Sequence, residues 1–128
     1  MRSILLAATI VVGMTSISHA DTIASGPVFG STAQGVAVCY IFNASTSNLT
    51  VSSIKIIREP DGVALPVVTN NCPPTPFGPG GICRTVSNVS STNVVACRAT
   101  VSSKANARGS LEIRNSPNTA TLNSQELR

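Results

Sequence analysis

Histidine is almost missing from this chain. The 128 residues hold one, His19, and it falls in an N-terminal segment that reads as a removable leader. The body of the protein then has no imidazole, which excludes a Ser-His-Asp triad, a Cys-His dyad and a histidine-ligated metal. Tryptophan is absent, and one Tyr and three Phe make up the aromatic complement. Five acidic residues leave little for carboxylate catalysis, which with lysine chemistry is what the missing imidazole still allows. The nine basic residues are scattered, and even Arg108 to Arg114 holds only two arginines. A nucleic-acid binder shows a dense basic patch, commonly with aromatic platforms, so no nucleic-acid partner is expected. No catalytic residue, cofactor or metal site is expected either.

Long apolar runs are confined to the start. Met1-Arg2-Ser3 is a short positive opening, and Ile4 to Met14 is apolar apart from Thr9 and Gly13. Ser18-His19-Ala20 follows, with small residues at the −3 and −1 positions that signal peptidase reads. The expectation is a signal peptide over 1–20, cleaved after Ala20. As a membrane anchor the apolar run is too short: it spans roughly 16 Å against a hydrocarbon core of about 30 Å. No later stretch is long and apolar enough to span. The protein is therefore expected to be secreted or periplasmic, with residues 21–128 forming one domain. Loss of Arg2 brings the formal charge of +4 down to about +3, thinly spread.

Valine, isoleucine, threonine, serine, asparagine, glycine and proline dominate what remains, and these favour strands and turns. No window carries an apolar period near that of a helix. Gly26 to Gly30 reads as a short edge strand limited by Pro27. Gly35 to Asn43, GVAVCYIFN, is apolar on both faces and reads as a central strand. Leu49 to Arg58 alternates but slips at Ser52-Ser53, which predicts a bulge. Glu59-Pro60-Asp61-Gly62 is a turn, and Val63 to Val68 returns along it, with Pro66 keeping that strand at an edge. Cys83 to Val89 is another strand. Asn93 to Ser102 alternates cleanly, with Val95, Cys97, Ala99 and Val101 on one side. Lys104 to Arg108 turns, Ser110 to Asn115 points Leu111 and Ile113 inward, and Ala120 to Leu122 adds a last short strand. Seven or eight short strands predict a single antiparallel, immunoglobulin-like β-sandwich, with a small barrel as the competitor.

Four cysteines in an exported chain read first as two disulfides, and they allow three pairings. Cys72 and Cys83 flank one excursion between neighbouring strands. Cys39 and Cys97 sit on the two most buried strands. The expected bridges are therefore Cys72–Cys83 and Cys39–Cys97. Chain entropy assigns about 3 kcal/mol to the short loop and about 4 to the long one. The excursion itself, NNCPPTPFGPGGICRT, invites four readings. Zinc wants shorter spacing and more ligands, and a catalytic redox pair wants C-x-x-C. A pinned structural turn fits best. A rigid recognition loop, with Pro74 and Pro76 stiffening it and Phe77 as an apolar tip, is the functional alternative, since a stiff loop loses little entropy on binding.

The string from Cys72 through Phe77-Gly78-Pro79-Gly80-Gly81-Ile82-Cys83 resembles the C…L-x-P-G-x-x-C turn of some bacterial immunoglobulin-like domains, including abnormal-spindle/hydin-type modules. Phe77-Gly78 stands where a Leu-x pair is commoner. The wider plan, with GVAVCYIFN, PGGICR, VACRATV and RGSLEIR, is similar to small exported bacterial β-sandwich proteins. This resemblance implies a fold and a compartment, and it transfers no active site.

Three sequons, at Asn43, Asn48 and Asn88, are glycosylation acceptors if the source is a eukaryote and ordinary turn residues otherwise. Glu59 and Asp61 are the only carboxylates close in sequence, and the turn around them lacks the spaced oxygens of a calcium loop. Arg84, Arg98 and Arg114 read as outward-facing strand residues that guard edges or meet an anionic ligand such as a polysaccharide. On the GVAVCYIFN strand, Val36, Val38, Tyr40 and Phe42 share the face opposite Cys39 and Ile41. If no terminal segment covers that face, Val38, Tyr40 and Phe42 form an interface, for self-association or for another envelope or extracellular protein. The function expected is thus a non-enzymatic binding or assembly protein. A secreted inhibitor presenting the Cys72–Cys83 loop is the first alternative, and a small enzyme with carboxylate chemistry the second.

Overall fold

The computed structural model describes residues 19–128. The expected leader over 1–20 lies almost wholly outside them. Among the described residues there is no helix. Nine strands follow in chain order: β1 (Asp21–Ala24), β2 (Gln34–Asn43), β3 (Val51–Glu59), β4 (Val63–Ala64), β5 (Val67–Asn70), β6 (Ile82–Asn88), β7 (Val94–Val101), β8 (Ala107–Asn115) and β9 (Thr121–Leu127). They form a four-stranded sheet in the order β1-β7-β3-β4 and a five-stranded sheet in the order β5-β6-β2-β8-β9. Every pairing is antiparallel.

Period-two alternation decides what each sheet buries. Val95, Cys97, Ala99 and Val101 on β7 are fully buried, as are Ala37, Cys39 and Ile41 on β2 and Leu111 and Ile113 on β8. Ile54 and Ile56 of β3 complete the layer between the sheets. Each buried Leu or Ile contributes about 1.5–3 kcal/mol through area removed from water. Cys39 bridges Cys97 across this layer, tying the centre of one sheet to the centre of the other, and Cys72 bridges Cys83. These are the pairs that strand position predicts.

Four elements differ from the sequence reading. The first strand is Asp21–Ala24, paired with β7. Gly26 to Gly30 forms no strand, only a bridge from Val28 to Val95. Val63 to Val68 is not one returning strand. Val63 and Ala64 pair with β3, and the Leu65 amide makes one more bond to that sheet, to the Ile56 carbonyl at 2.8 Å. Pro66 has no N–H with which to extend the ladder, and from Val67 the chain pairs with β6 in the other sheet. Pro66 therefore marks the crossing between sheets. The last strand runs over seven residues, not three. Elsewhere the slip at Ser52-Ser53 is a register shift between Val51 and Ser53, and Gly62 takes the positive φ that its turn requires, 68°.

The two sides of the sandwich close differently. On one, Leu65-Pro66 carries the chain from sheet to sheet. On the other, Ala24 and Arg128 exchange reciprocal backbone hydrogen bonds, both 3.0 Å. At the two ends of β2, buried amides gather loops. Gln34 Nε2 donates to the Ser90 and Asn93 carbonyls at 2.7 and 2.6 Å, and its Oε1 accepts from the Gly30 amide at 2.9 Å. Asn43 does the same work at the opposite end.

Candidate functional site

Asn43 organises the Cys72–Cys83 loop. Its Nδ2 donates to the Ser47 carbonyl at 2.8 Å and to the Phe77 carbonyl at 3.0 Å. Its backbone N–H reaches the Gly81 carbonyl at 2.9 Å, and its own carbonyl accepts from Gly80 at 3.0 Å. Phe77 and Leu49 exchange backbone hydrogen bonds at 3.0 and 2.9 Å. The Phe77 ring lies half-buried against the core and covers Gly81, where an added Cβ would stand 2.7 Å from the ring.

Phe77 is therefore not an apolar tip, contrary to the expectation for a recognition loop. Its ring does better against Gly81 and the core than in water, and the hydrogen bonds from Asn43 and Leu49 hold it there. Between the two cysteines the loop exposes Pro74 to Pro76, Gly78 to Gly80 and Ile82. Cys83 is buried and Cys72 half-buried. Asn43 is wholly buried with both Nδ2 hydrogens engaged, so of the three sequons only Asn48 and Asn88 stand exposed.

The outer face of the five-stranded sheet is different. Ladder pairing sets Ile82, Phe42 and Arg108 side by side across β6, β2 and β8. The next row holds Arg84, Tyr40, Ser110 and Glu126, the last from β9. Phe42 is 40% exposed and Ile82 63%. An open cleft of about 590 Å³ lies here, with Tyr40, Phe42 and Ile82 on one side and Arg108, Ser110, Glu112 and Glu126 on the other. A smaller hollow of about 210 Å³ adjoins it beside Tyr40, Ile82 and Arg84.

Val38 does not belong to this surface, although its strand position places it on the same face. It is 2% exposed. Arg114, the ladder partner of Val36 and four residue pairs from Tyr40, donates to the Tyr40 hydroxyl at 3.1 Å. The same guanidinium meets Glu112 at 2.8 Å. Arg114 thus spans the row that holds Val38 and Glu112, in the way long cationic side chains lie over apolar surface. The hydrogen bond with Glu112 raises the Arg114 pKa above its ordinary value, so the strap stays charged.

Sequence reading missed Ile82, Arg108 and Glu126. Ile82 was legible: Cys83 faces inward, so its neighbour must face out. Glu126 was not, because nothing in Thr121 to Leu127 announces a strand paired so as to bring it beside Ser110.

Chemically the cleft offers two carboxylates, Glu112 and Glu126, but Glu112 is already bound to Arg114. Among the described residues no three of His, Cys, Asp and Glu converge as metal ligands, and no cysteine is free. The other sheet's outer face carries Ser53, Lys55, Arg98 and Thr100 in adjacent rows of β3 and β7. No protein-family model, curated protein or solved structure matches the chain.

Proposed function

We propose that this chain is a non-enzymatic exported protein that docks another protein on the outer face of its five-stranded sheet. The observation that carries this reading is the pair Phe42 and Ile82. They are directly opposed on β2 and β6, and both are large, apolar and exposed. Charged residues, Arg84, Arg108 and Glu126, surround them. An apolar, partly aromatic centre within a polar rim containing arginine is the anatomy of a protein interface. Two disulfides accord with an oxidising compartment, and β1 opens on Asp21, the residue that cleavage after Ala20 would leave first. The resemblance to small exported immunoglobulin-like modules points the same way. The inhibitor alternative is weaker because its apolar contact residue, Phe77, is turned inward.

The test is site-specific photocrosslinking in the cells that make the protein. A benzoylphenylalanine at position 42 should yield a defined crosslinked protein, and the same probe at Lys55, on the other sheet, should not. Equal yields from both positions would remove the reading.

A further inference from the structure

The rim of the Phe42–Ile82 face carries both signs of charge at neighbouring positions. Arg108 lies two residues before Ser110 on β8, and Ser110 is the ladder partner of Glu126 on β9. Among the described residues neither Arg108 nor Glu126 takes part in an ion pair. Arg108 Nη1 donates to the carbonyls of Ala105 and Ala107 at 3.1 and 2.8 Å. That fixes the guanidinium at the cleft and leaves its remaining donors unused. Arg114 and Glu112 neutralise each other farther along the sheet.

We infer, resting on the docking reading above, that the occupant of this face is a second copy of the chain, packed sheet to sheet. Arg108 of each copy meets Glu126 of the other, and Phe42 and Ile82 fill the centre. In such an isologous contact residue i touches j and j touches i. A two-fold axis lying in the contact plane, across the strands between the Phe42 row and the Tyr40 row, meets that condition. It sets Phe42 against Tyr40 of the second copy, and Arg108 diagonally against its Glu126. Ile82 then packs on the Arg84 stem. One axis thus satisfies the apolar centre and both free charges, so the face complements itself.

Sedimentation velocity on the purified protein, in a dilution series reaching about 1 mM, tests the inference. The expected result is a mass that doubles with concentration. Arg108→Glu and Glu126→Arg should each raise the dissociation constant about tenfold or more, and the R108E/E126R double variant should return it to within about threefold of the parent. Phe42→Ser should leave a monomer. A non-reducing peptide map and a melting curve establish that each variant is folded with both bridges. If Arg108→Glu does not fold, Arg108→Gln replaces it, with a smaller loss expected.

A monomer throughout the series, or a double variant no tighter than the singles, overturns the inference. Crosslinks from position 42 to a different protein, with the purified chain monomeric, overturn the second copy and leave the docking reading intact. No crosslink at all from position 42 overturns both.

Discussion

Gln34 and Asn43, the first and last residues of β2, hold the two ends of the sandwich with the same chemistry. Each is a buried side-chain amide whose Nδ2 or Nε2 donates to two loop carbonyls: Ser90 and Asn93 for Gln34, the nearby Ser47 and the remote Phe77 for Asn43. The Ser90 carbonyl also accepts from the Asn93 amide and the Phe77 carbonyl from the Leu49 amide, so each side chain adds a second bond that ties its loop to β2.

Removing either amide should therefore loosen one end only. Asn43→Ala removes one of two hydrogen bonds from each of the Ser47 and Phe77 carbonyls, which keep those from Ser45 Oγ and the Leu49 amide, at about 1 kcal/mol each. Urea unfolding should show a loss of about 2 kcal/mol or more, and amide exchange should quicken at Leu49 and Phe77 while Val95 stays protected. For the same reason the folded, bridged protein made in a glycosylating host should carry no glycan on Asn43.

Ser87 presents the opposite case. It is wholly buried on the inner face of β6, and its Oγ has no hydrogen-bond partner among the described residues. An unpaired buried hydroxyl costs free energy that a methyl group does not. Ser87→Ala should be neutral or stabilising by up to about 1 kcal/mol, read as an unchanged or raised melting temperature.

The two bridges should separate under mild reductant. Cys39–Cys97 is sealed in the core, whereas Cys72 is half-buried. Timed alkylation should label Cys72 and Cys83 first. The paired Cys72→Ala and Cys83→Ala substitutions should lower stability by about 3 kcal/mol and the paired Cys39→Ala and Cys97→Ala substitutions by at least about 4, since the latter also open a cavity.

Asp61 gives a pH signature. The hydrogen bond from Arg58, then one from the Val63 amide, holds its carboxyl below the ordinary value of 3.8. A lowered folded-state value means the contact stabilises above the ordinary aspartate range and is lost as pH falls through the lowered one. NMR titration should place the Asp61 midpoint below 3.8, and Arg58→Gln should move it upward.

Sequence pattern was most informative where a strand has one buried face and two neighbours. β7 announces itself because Val95, Cys97, Ala99 and Val101 all meet the same core, and with Cys97 so placed the bridge to Cys39 follows. β5 could not be foreseen, because Val63 to Val68 reads alike whether it stays in one sheet or crosses at Pro66. The four residues of β1 are too short for periodicity to register. The candidate interface was half legible. Tyr40 and Phe42 face outward as alternation requires, but Val38 shares their periodicity and is nonetheless buried, in the row that the Arg114 side chain spans to reach Tyr40. Phe77 misled for a similar reason: a phenylalanine among prolines looks presented until Asn43, far away in sequence, is seen to fasten it.

The reciprocal hydrogen bonds between Ala24 and Arg128 have a consequence for connectivity. Asp21 stands three residues from Ala24, at most about 10 Å of chain, so residues 21 and 128 lie within reach of a short glycine-serine linker. The order in which the strands are synthesised can then be changed without moving any of them. Joined there and opened at the exposed Asp61-Gly62 turn, the protein becomes a circular permutant that begins with β4 and ends with β3, with both sheets and both disulfides kept.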